Sequence, residues 1–244
     1  MLRLIETLSG RVSEPLVIDL VVVARNCAGS LGPTLAALPA RELRSVVVVD
    51  AGSTDATPLV ARDAGAVLLH ERAAGYGAAG RRAIVHLESL PRRPDAVVFM
   101  PGDGSIDPSD IPALLSPIRA GGAELVVGVP PRGPDGSAAV SAGAADRVAL
   151  GLIGLLYRQK FGGLGAFRAV RFPALVALGL SDRGDAWNVE MQVKAVRLGL
   201  RIAEVPVAPR VIHLLPGSRA AELRQAVSST GRRLLQILRH ATAR

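Results

Sequence analysis

The sequence predicts an α/β fold with a mostly parallel sheet and helices on both faces. Three observations carry this expectation. Short β-branched runs alternate with helical stretches of about ten residues through the first half of the chain, the rhythm of βαβ units. A content of 49% hydrophobic and 20% charged residues describes a globular chain, and 244 residues suffice for one α/β domain with a substantial core. Glycine and aspartate collect in three of the loops that follow the strand-like runs, the edge where sheets of this kind bind ligands.

Taken in order, the strand-like runs are 16–24, 43–50, 66–70, 96–100 and 124–129. Between them, 29–38, 55–64, 77–89 and 108–120 carry apolar residues at helical spacing. Asp50 ends the second run and Asp103 follows the fourth, so the topology brings them to one edge of the sheet. A Pro/Gly/Ser-rich stretch at 133–143 reads as a hinge or flexible loop. A long helix over 144–160, a Gly-rich turn, a short run at 166–170, a helix at 187–198 and a strand at 201–207 follow. The last segment, 218–244, has Leu223, Val227, Leu234, Ile237 and Leu238 on one side among arginines, which predicts an amphipathic helix. The expected organisation is an N-terminal extension (1–16), one domain (17–210) and a basic C-terminal helix (211–244).

Aromatics are only 3% of the chain, so the core is expected to be built from Val, Leu, Ile and Ala. The formal charge of +8 favours anionic partners, phosphorylated substrates or an anionic membrane face. Nucleic acid is not expected, because aromatics are not interleaved with the basic residues. Lysine is confined to Lys160 and Lys194, and the arginines are spread along the whole chain. No apolar run reaches the roughly 18 residues of a membrane span, and no signal peptide is apparent, so the expected location is cytoplasmic. The single cysteine, Cys27, allows no internal disulfide, and the four scattered histidines propose no metal site.

Two constellations carry chemistry. In Asp50-Ala51-Gly52-Ser53-Thr54-Asp55 a strand ends on a carboxylate able to accept from a nucleobase imide or a ribose hydroxyl. Ser53 or Thr54 can cap the helix that follows, and a plain strand–turn–helix cap explains much of the same stretch. In Pro101-Gly102-Asp103-Gly104, Asp103 sits between glycines that let the backbone approach a metal–diphosphate; a tight turn closed by an Asx hydrogen bond is the plainer reading. Gly75-Tyr76-Gly77-Ala78-Ala79-Gly80 matches the dinucleotide fingerprint in spelling, but a fingerprint belongs after the first strand of its unit, and here that strand leads into Arg25-Asn26-Cys27. A Gly-rich helix start lining a nucleotide pocket fits better.

In this order the motifs resemble the inverting family 2 glycosyltransferases. The family pattern of Asn-Glu after the first strand, Asp-Asp-Gly-Ser-x-Asp, Gly-Tyr-Gly-Ala, and Asp-x-Asp-Gly with a following Asp-Pro is matched here. The matching residues are Asn26-Cys27, Asp50 to Asp55, Gly75 to Ala78, and Pro101 to Gly104 with Asp107-Pro108. Leu164 to Ala169, Trp187 to Gln192 and Val205-Pro206-Val207 look like blocks of the branch near the polyprenyl-phosphate sugar synthases, such as dolichyl-phosphate mannosyltransferase. The resemblance implies a GT-A fold and transfer of a hexose from a UDP- or GDP-sugar, with a polyprenyl phosphate as favoured acceptor. It implies Mg²⁺ or Mn²⁺ on Asp103, and donor contacts at Ala24, Asn26, Asp50, Gly52, Gly75, Gly77, Gly102 and Asp103. It places Arg147, Arg168, Trp187 and Arg219 toward the acceptor and makes Glu190 the first candidate base for a hydroxyl acceptor, or else an orienter of the loop beside Trp187. The terminal helix could rest on a membrane or pack on the domain. Cys27, Ala51, Pro101 and Gly163 stand where the family carries acids, which motivates an alternative: an inactive GT-A relative that binds nucleotide-sugar or a partner protein. A nucleotidyltransferase on a similar fold lacks the expected Gly-rich, Arg/Lys-bearing loop after the first strand.

Overall fold

The structure, a computed structural model, describes residues 15–73, 75–131 and 144–207. The 133–143 linker, His213, Arg219 and the predicted terminal helix lie outside the described residues. Seven strands form one sheet: β1 (Ile18–Ala24), β2 (Ser45–Asp50), β3 (Val67–His70), β4 (Ala96–Pro101), β5 (Leu125–Val129), β6 (Arg168–Arg171) and β7 (Ile202–Pro206). Their spatial order is β3-β2-β1-β4-β6-β5-β7. Every pairing is parallel except those of β6, which runs antiparallel to both β4 and β5.

The helices are α1 (Ala28–Ala36), α2 (Thr57–Asp63), α3 (Tyr76–Glu88), α4 (Ile111–Arg119), α5 (Ala144–Tyr157), α6 (Phe172–Ala177) and α7 (Trp187–Arg197). Strand alternation explains why they divide into two layers. Val21, Val47, Val49, Val97 and Phe99 face α3, α6 and α7, where they meet Ala83, Leu87, Leu175, Trp187 and Met191. Leu20, Val22, Val48, Val98 and Met100 face the other way, onto Leu31 of α1, Ala61 of α2 and Leu114, Leu115 and Ile118 of α4. A strand buried on both faces has no polar side to present, which is why these runs read as continuous Val/Leu/Ile. Each such side chain contributes on the order of 1.5–3 kcal/mol on burial.

Charged groups are buried in this fold too, Asp19 among them. Asp19 on β1 is fully buried and accepts from Arg44 Nε at 2.9 Å and Ser45 Oγ at 2.9 Å. Its pairing with Arg44 satisfies the carboxylate at the amino-terminal edge of the sheet, away from the Gly/Asp loops. Among the described α-helices, periodicity does not predict α6; at six residues, with Pro173 second, it is too short to show a helical period.

Candidate active site

The loops after β1, β2 and β4 meet the start of α3 and the loop before α7 around a cavity of ≈ 480 Å³. Arg25, Cys27, Ala51, Tyr76, Asp103 and Asp185 are among the residues that line it. The first two loops are stapled together. Asn26 turns through a left-handed φ of 49°, its Oδ1 accepts from Thr54 N at 2.8 Å, and its own N–H donates to Ser53 Oγ at 3.0 Å. Asp55 accepts from Thr57 N at 3.0 Å and Ala28 N at 3.1 Å, tying the start of α2 to that of α1; the N-cap position of α2 is Ala56, and neither Ser53 nor Thr54 caps it. The Thr57 hydroxyl and amide hold the Asp55 carboxyl below its usual range. Cys27 N donates to Thr57 Oγ1 at 2.8 Å, and burial pushes the Cys27 thiol up, away from the reactive thiolate.

Asp50 does not reach the cavity wall. It is 4% exposed; its Oδ1 accepts from Ser53 N at 3.1 Å, and His70 Nδ1 lies 3.4 Å from Oδ2. The side chain that lines the cavity at this turn is Ala51. In this structure the carboxylate closes its own turn. Ala24 is buried at the end of β1, where its carbonyl accepts from Ala51 N at 2.9 Å, and Gly52 makes the turn out of β2 with a φ of 77°.

Asp103 is exposed to the cavity on a loop fixed by Gly102 N donating to Val23 O at 2.9 Å and Ser30 Oγ donating to Gly102 O at 3.2 Å. Its Oδ1 accepts from Ser105 N at 2.9 Å and from the Ser105 hydroxyl, while no described residue bonds its Oδ2. A carboxylate with one anchored oxygen and one open oxygen, facing a cavity, is the hard-oxygen donor that Mg²⁺ or Mn²⁺ takes. Among the described residues no cluster of three or more His, Cys, Asp or Glu side chains supplies a fuller ligand set, so substrate oxygens and water would have to complete the shell.

The glycines at 75 and 77 serve close packing. A Cβ on Gly75 would stand 2.1 Å from the carbonyl oxygen of Arg183, and one on Gly77 would stand 2.3 Å from that of Asp182. The first amides of α3 are spent on the same loop: Gly77 N donates to Gly184 O at 3.1 Å and Ala78 N to Arg183 O at 2.8 Å. Engaged in this way, these two amides do not offer the open phosphate cradle of a dinucleotide fingerprint. Gly75 still lines the cavity beside Tyr76. Tyr76 donates to Ala166 O at 3.3 Å, and burial pushes its hydroxyl pKa up.

Of the expected acceptor residues, Arg147, Arg168 and Trp187 are not among those that line this cavity, and Arg219 lies outside the described residues. Trp187 is fully buried, with Phe99 at 5.1 Å and Tyr76 at 5.8 Å between ring centroids. Arg168 is fully buried, donating to Gly165 O at 3.0 Å and Asn188 O at 3.1 Å. Burial pulls its guanidinium down to about 10, still charged at neutral pH, and it also donates to Gln192 Oε1 at 3.4 Å. Arg147 is exposed on α5 and does not line the cavity. Glu190 is also fully buried: both carboxylate oxygens accept from Ser181 N at 3.0 Å, Oε2 accepts from Asp182 N at 2.8 Å, and Lys194 Nζ lies 2.8 Å from Oε1. Burial pushes this carboxyl up, yet Lys194 and the two amides outweigh it and leave it below the usual range. With both oxygens engaged by the Ser181 and Asp182 amides and by Lys194, Glu190 holds the loop at 181–184. Sequence reasoning missed Arg25 and Asp185 on the cavity wall; the Gly-Asp pair opening the Trp187 helix was the available signal for the second.

Residues 19–175 match the family described as glycosyl transferase family 2. An uncharacterised glycosyltransferase of Mycobacterium tuberculosis is 32% identical over 195 residues, covering 78% of this chain and 85% of its own. An undecaprenyl-phosphate mannosyltransferase of Micrococcus luteus is 32% identical over 176 residues, covering 66% and 70%. Among solved structures, glucosyl-3-phosphoglycerate synthase of M. tuberculosis in complex with UDP superposes with a TM-score of 0.74 at 21% identity, over 93% of this chain and 80% of the other. The same enzyme with Mn²⁺, UDP-glucose and phosphoglyceric acid also gives a TM-score of 0.74, at 20% identity and the same coverage. At that identity the likeness establishes the fold, which is of the GT-A type.

Proposed function

This chain belongs to the family 2 glycosyltransferases, and from that premise we propose that it moves a hexose from a UDP- or GDP-sugar to an acceptor, with Asp103 and a divalent cation holding the diphosphate. The observation that carries this is Asp103 itself: an exposed carboxylate with an open oxygen, on a braced loop after β4, facing the cavity at the carboxyl edge of the sheet. Mg²⁺ or Mn²⁺, when bound, supplies charge neutralisation for the leaving diphosphate. The chain's own residues do the rest. The stapled loops after β1 and β2 form a preorganised floor, Arg25 adds a cation to the wall, and Tyr76 closes one side. In-line attack on the anomeric carbon from the side opposite the diphosphate would invert its configuration.

Two acceptor classes have support from relatives. The Micrococcus enzyme's name points to a polyprenyl phosphate, and the name of the mycobacterial synthase points to a phosphorylated hydroxy acid. The basic composition suits either. The unit proposed for catalysis is 17–210, with 211–244 serving as an accessory basic segment that can meet an anionic membrane face.

A second reading has its own observation. Cys27, Ala51 and Pro101, three of the positions where the family carries acids, all line this cavity. A binding-only relative would keep the nucleotide-sugar and release no sugar. Incubation with Mn²⁺ and either UDP-glucose or GDP-mannose, following release of free nucleotide, separates the two: release that depends on metal and on Asp103 supports transfer, and binding without release supports the second reading.

A further inference from the structure

The wall of the cavity made by α3 and the loop before α7 is unusually fixed. Glu190 takes the amides of Ser181 and Asp182, Asp182 Oδ1 accepts from Gly184 N at 2.7 Å, and the first amides of α3 bond the carbonyls of Arg183 and Gly184. Gly75 and Gly77 let these backbones touch where any side chain would collide. All of this bracing ends at Asp185, which lines the cavity, is only half-buried, and has no hydrogen-bond or ion-pair partner among the described residues. An unpaired carboxylate beside the site of a diphosphate opposes binding of that anion, and would equally repel a phosphate acceptor. Its use must lie in accepting something, and Glu190, the carboxylate that sequence reasoning favoured for that work, is saturated.

We infer that Asp185 is the catalytic residue that takes the proton of the acceptor, and hence that the acceptor nucleophile is a hydroxyl rather than a phosphate. The inference rests on the transfer reading above and specifies the acceptor for the same site. In the step, the acceptor oxygen forms a bond to the anomeric carbon. The bond from that carbon to the diphosphate oxygen breaks, and its electron pair leaves with the nucleoside diphosphate. The acceptor's proton passes to an Asp185 oxygen and from there to water as product departs. A phosphate acceptor is already ionised near neutral pH and needs no such base.

The test uses the full chain with Mn²⁺, UDP-glucose or GDP-mannose, and three acceptors: water alone, 3-phosphoglycerate as a hydroxyl probe, and undecaprenyl phosphate in detergent. The expected result is that Asp185→Asn lowers nucleotide release by about 10²–10⁴-fold. The same variant should abolish the acid limb of the pH–rate profile and leave calorimetric UDP or GDP binding as tight as wild type or tighter, while Asp185→Glu recovers part of the rate. Wild-type turnover in Asp185→Asn, or a loss of nucleotide binding in that variant equal to its loss of rate, would overturn the assignment. So would turnover of undecaprenyl phosphate that is indifferent to Asp185. Failure of the folded wild-type chain to bind either nucleotide would instead overturn the transfer reading beneath it.

Discussion

Replacing Glu190 with glutamine separates a brace from a base. The carboxylate receives two amides, the Ser181 hydroxyl at 2.7 Å and the Lys194 ammonium, so an amide in its place must turn an NH₂ group toward at least one donor. Hydrogen bonds to a charged group are worth roughly 1.5–3 kcal/mol, and breaking a buried ion pair costs about 3–5 kcal/mol. Ser181 is exposed and the Lys194 side chain is 18% exposed, so water recovers part of the loss. A net cost of about 2–4 kcal/mol follows, equivalent to a drop in Tm of roughly 4–16 °C for a domain of this size. Urea unfolding at a series of pH values is the assay. The folded carboxyl lies below its unfolded value, so its contribution is present above about pH 4.3 and is lost as pH falls through the folded value. The gap between wild type and Glu190→Gln should therefore be full at pH 7 and close on acidification. A gap under about 0.5 kcal/mol at pH 7, or a gap that widens in acid, refutes the reasoning. So would a variant of unchanged stability that has lost all transfer, because that is the signature of a proton acceptor.

Gly77→Ala should cost about 2 kcal/mol or more in urea unfolding, because its Cβ would meet the Asp182 carbonyl at 2.3 Å and must push the loop carrying Asp185 off α3. Nucleotide release should fall with it, whereas an alanine at exposed Gly29, where a Cβ meets nothing within 4 Å, should leave release unchanged. Asp19→Ala should destabilise by about 3–5 kcal/mol at pH 7 by stranding Arg44, with nucleotide affinity in the surviving folded protein unaltered, since the pair lies at the opposite edge of the sheet. Titration calorimetry on that variant checks the second half.

The sheet was legible because both-face burial writes itself as uninterrupted apolar runs; β1, β2, β4 and β5 begin and end within two residues of the sequence expectation. The antiparallel direction of β6 was not legible, because the short run at 166–170 carries no mark of direction. Within the site, Asp103 was found by its glycine neighbours and its place after a strand. Asp50 was legible as the end of its strand, but a strand's end fixes position along the chain and not burial: Asp50 is 4% exposed, while its neighbour Ala51 lines the cavity. Arg168, Trp187 and Glu190 come from motifs whose spelling survives whether a residue touches a ligand or supports the loop that does. Burial alone separates those roles, and one sequence does not state it.

The central claim is that Asp103 and a divalent cation hold a nucleoside diphosphate in the cavity. The direct measurement is calorimetric titration with UDP and GDP, each with and without Mn²⁺, on the wild-type chain and on Asp103→Ala. The account predicts binding of one nucleotide that requires Mn²⁺ and disappears in the variant while its fold, followed by circular dichroism, is unchanged. Binding of equal strength without metal, or undiminished in Asp103→Ala, would contradict it.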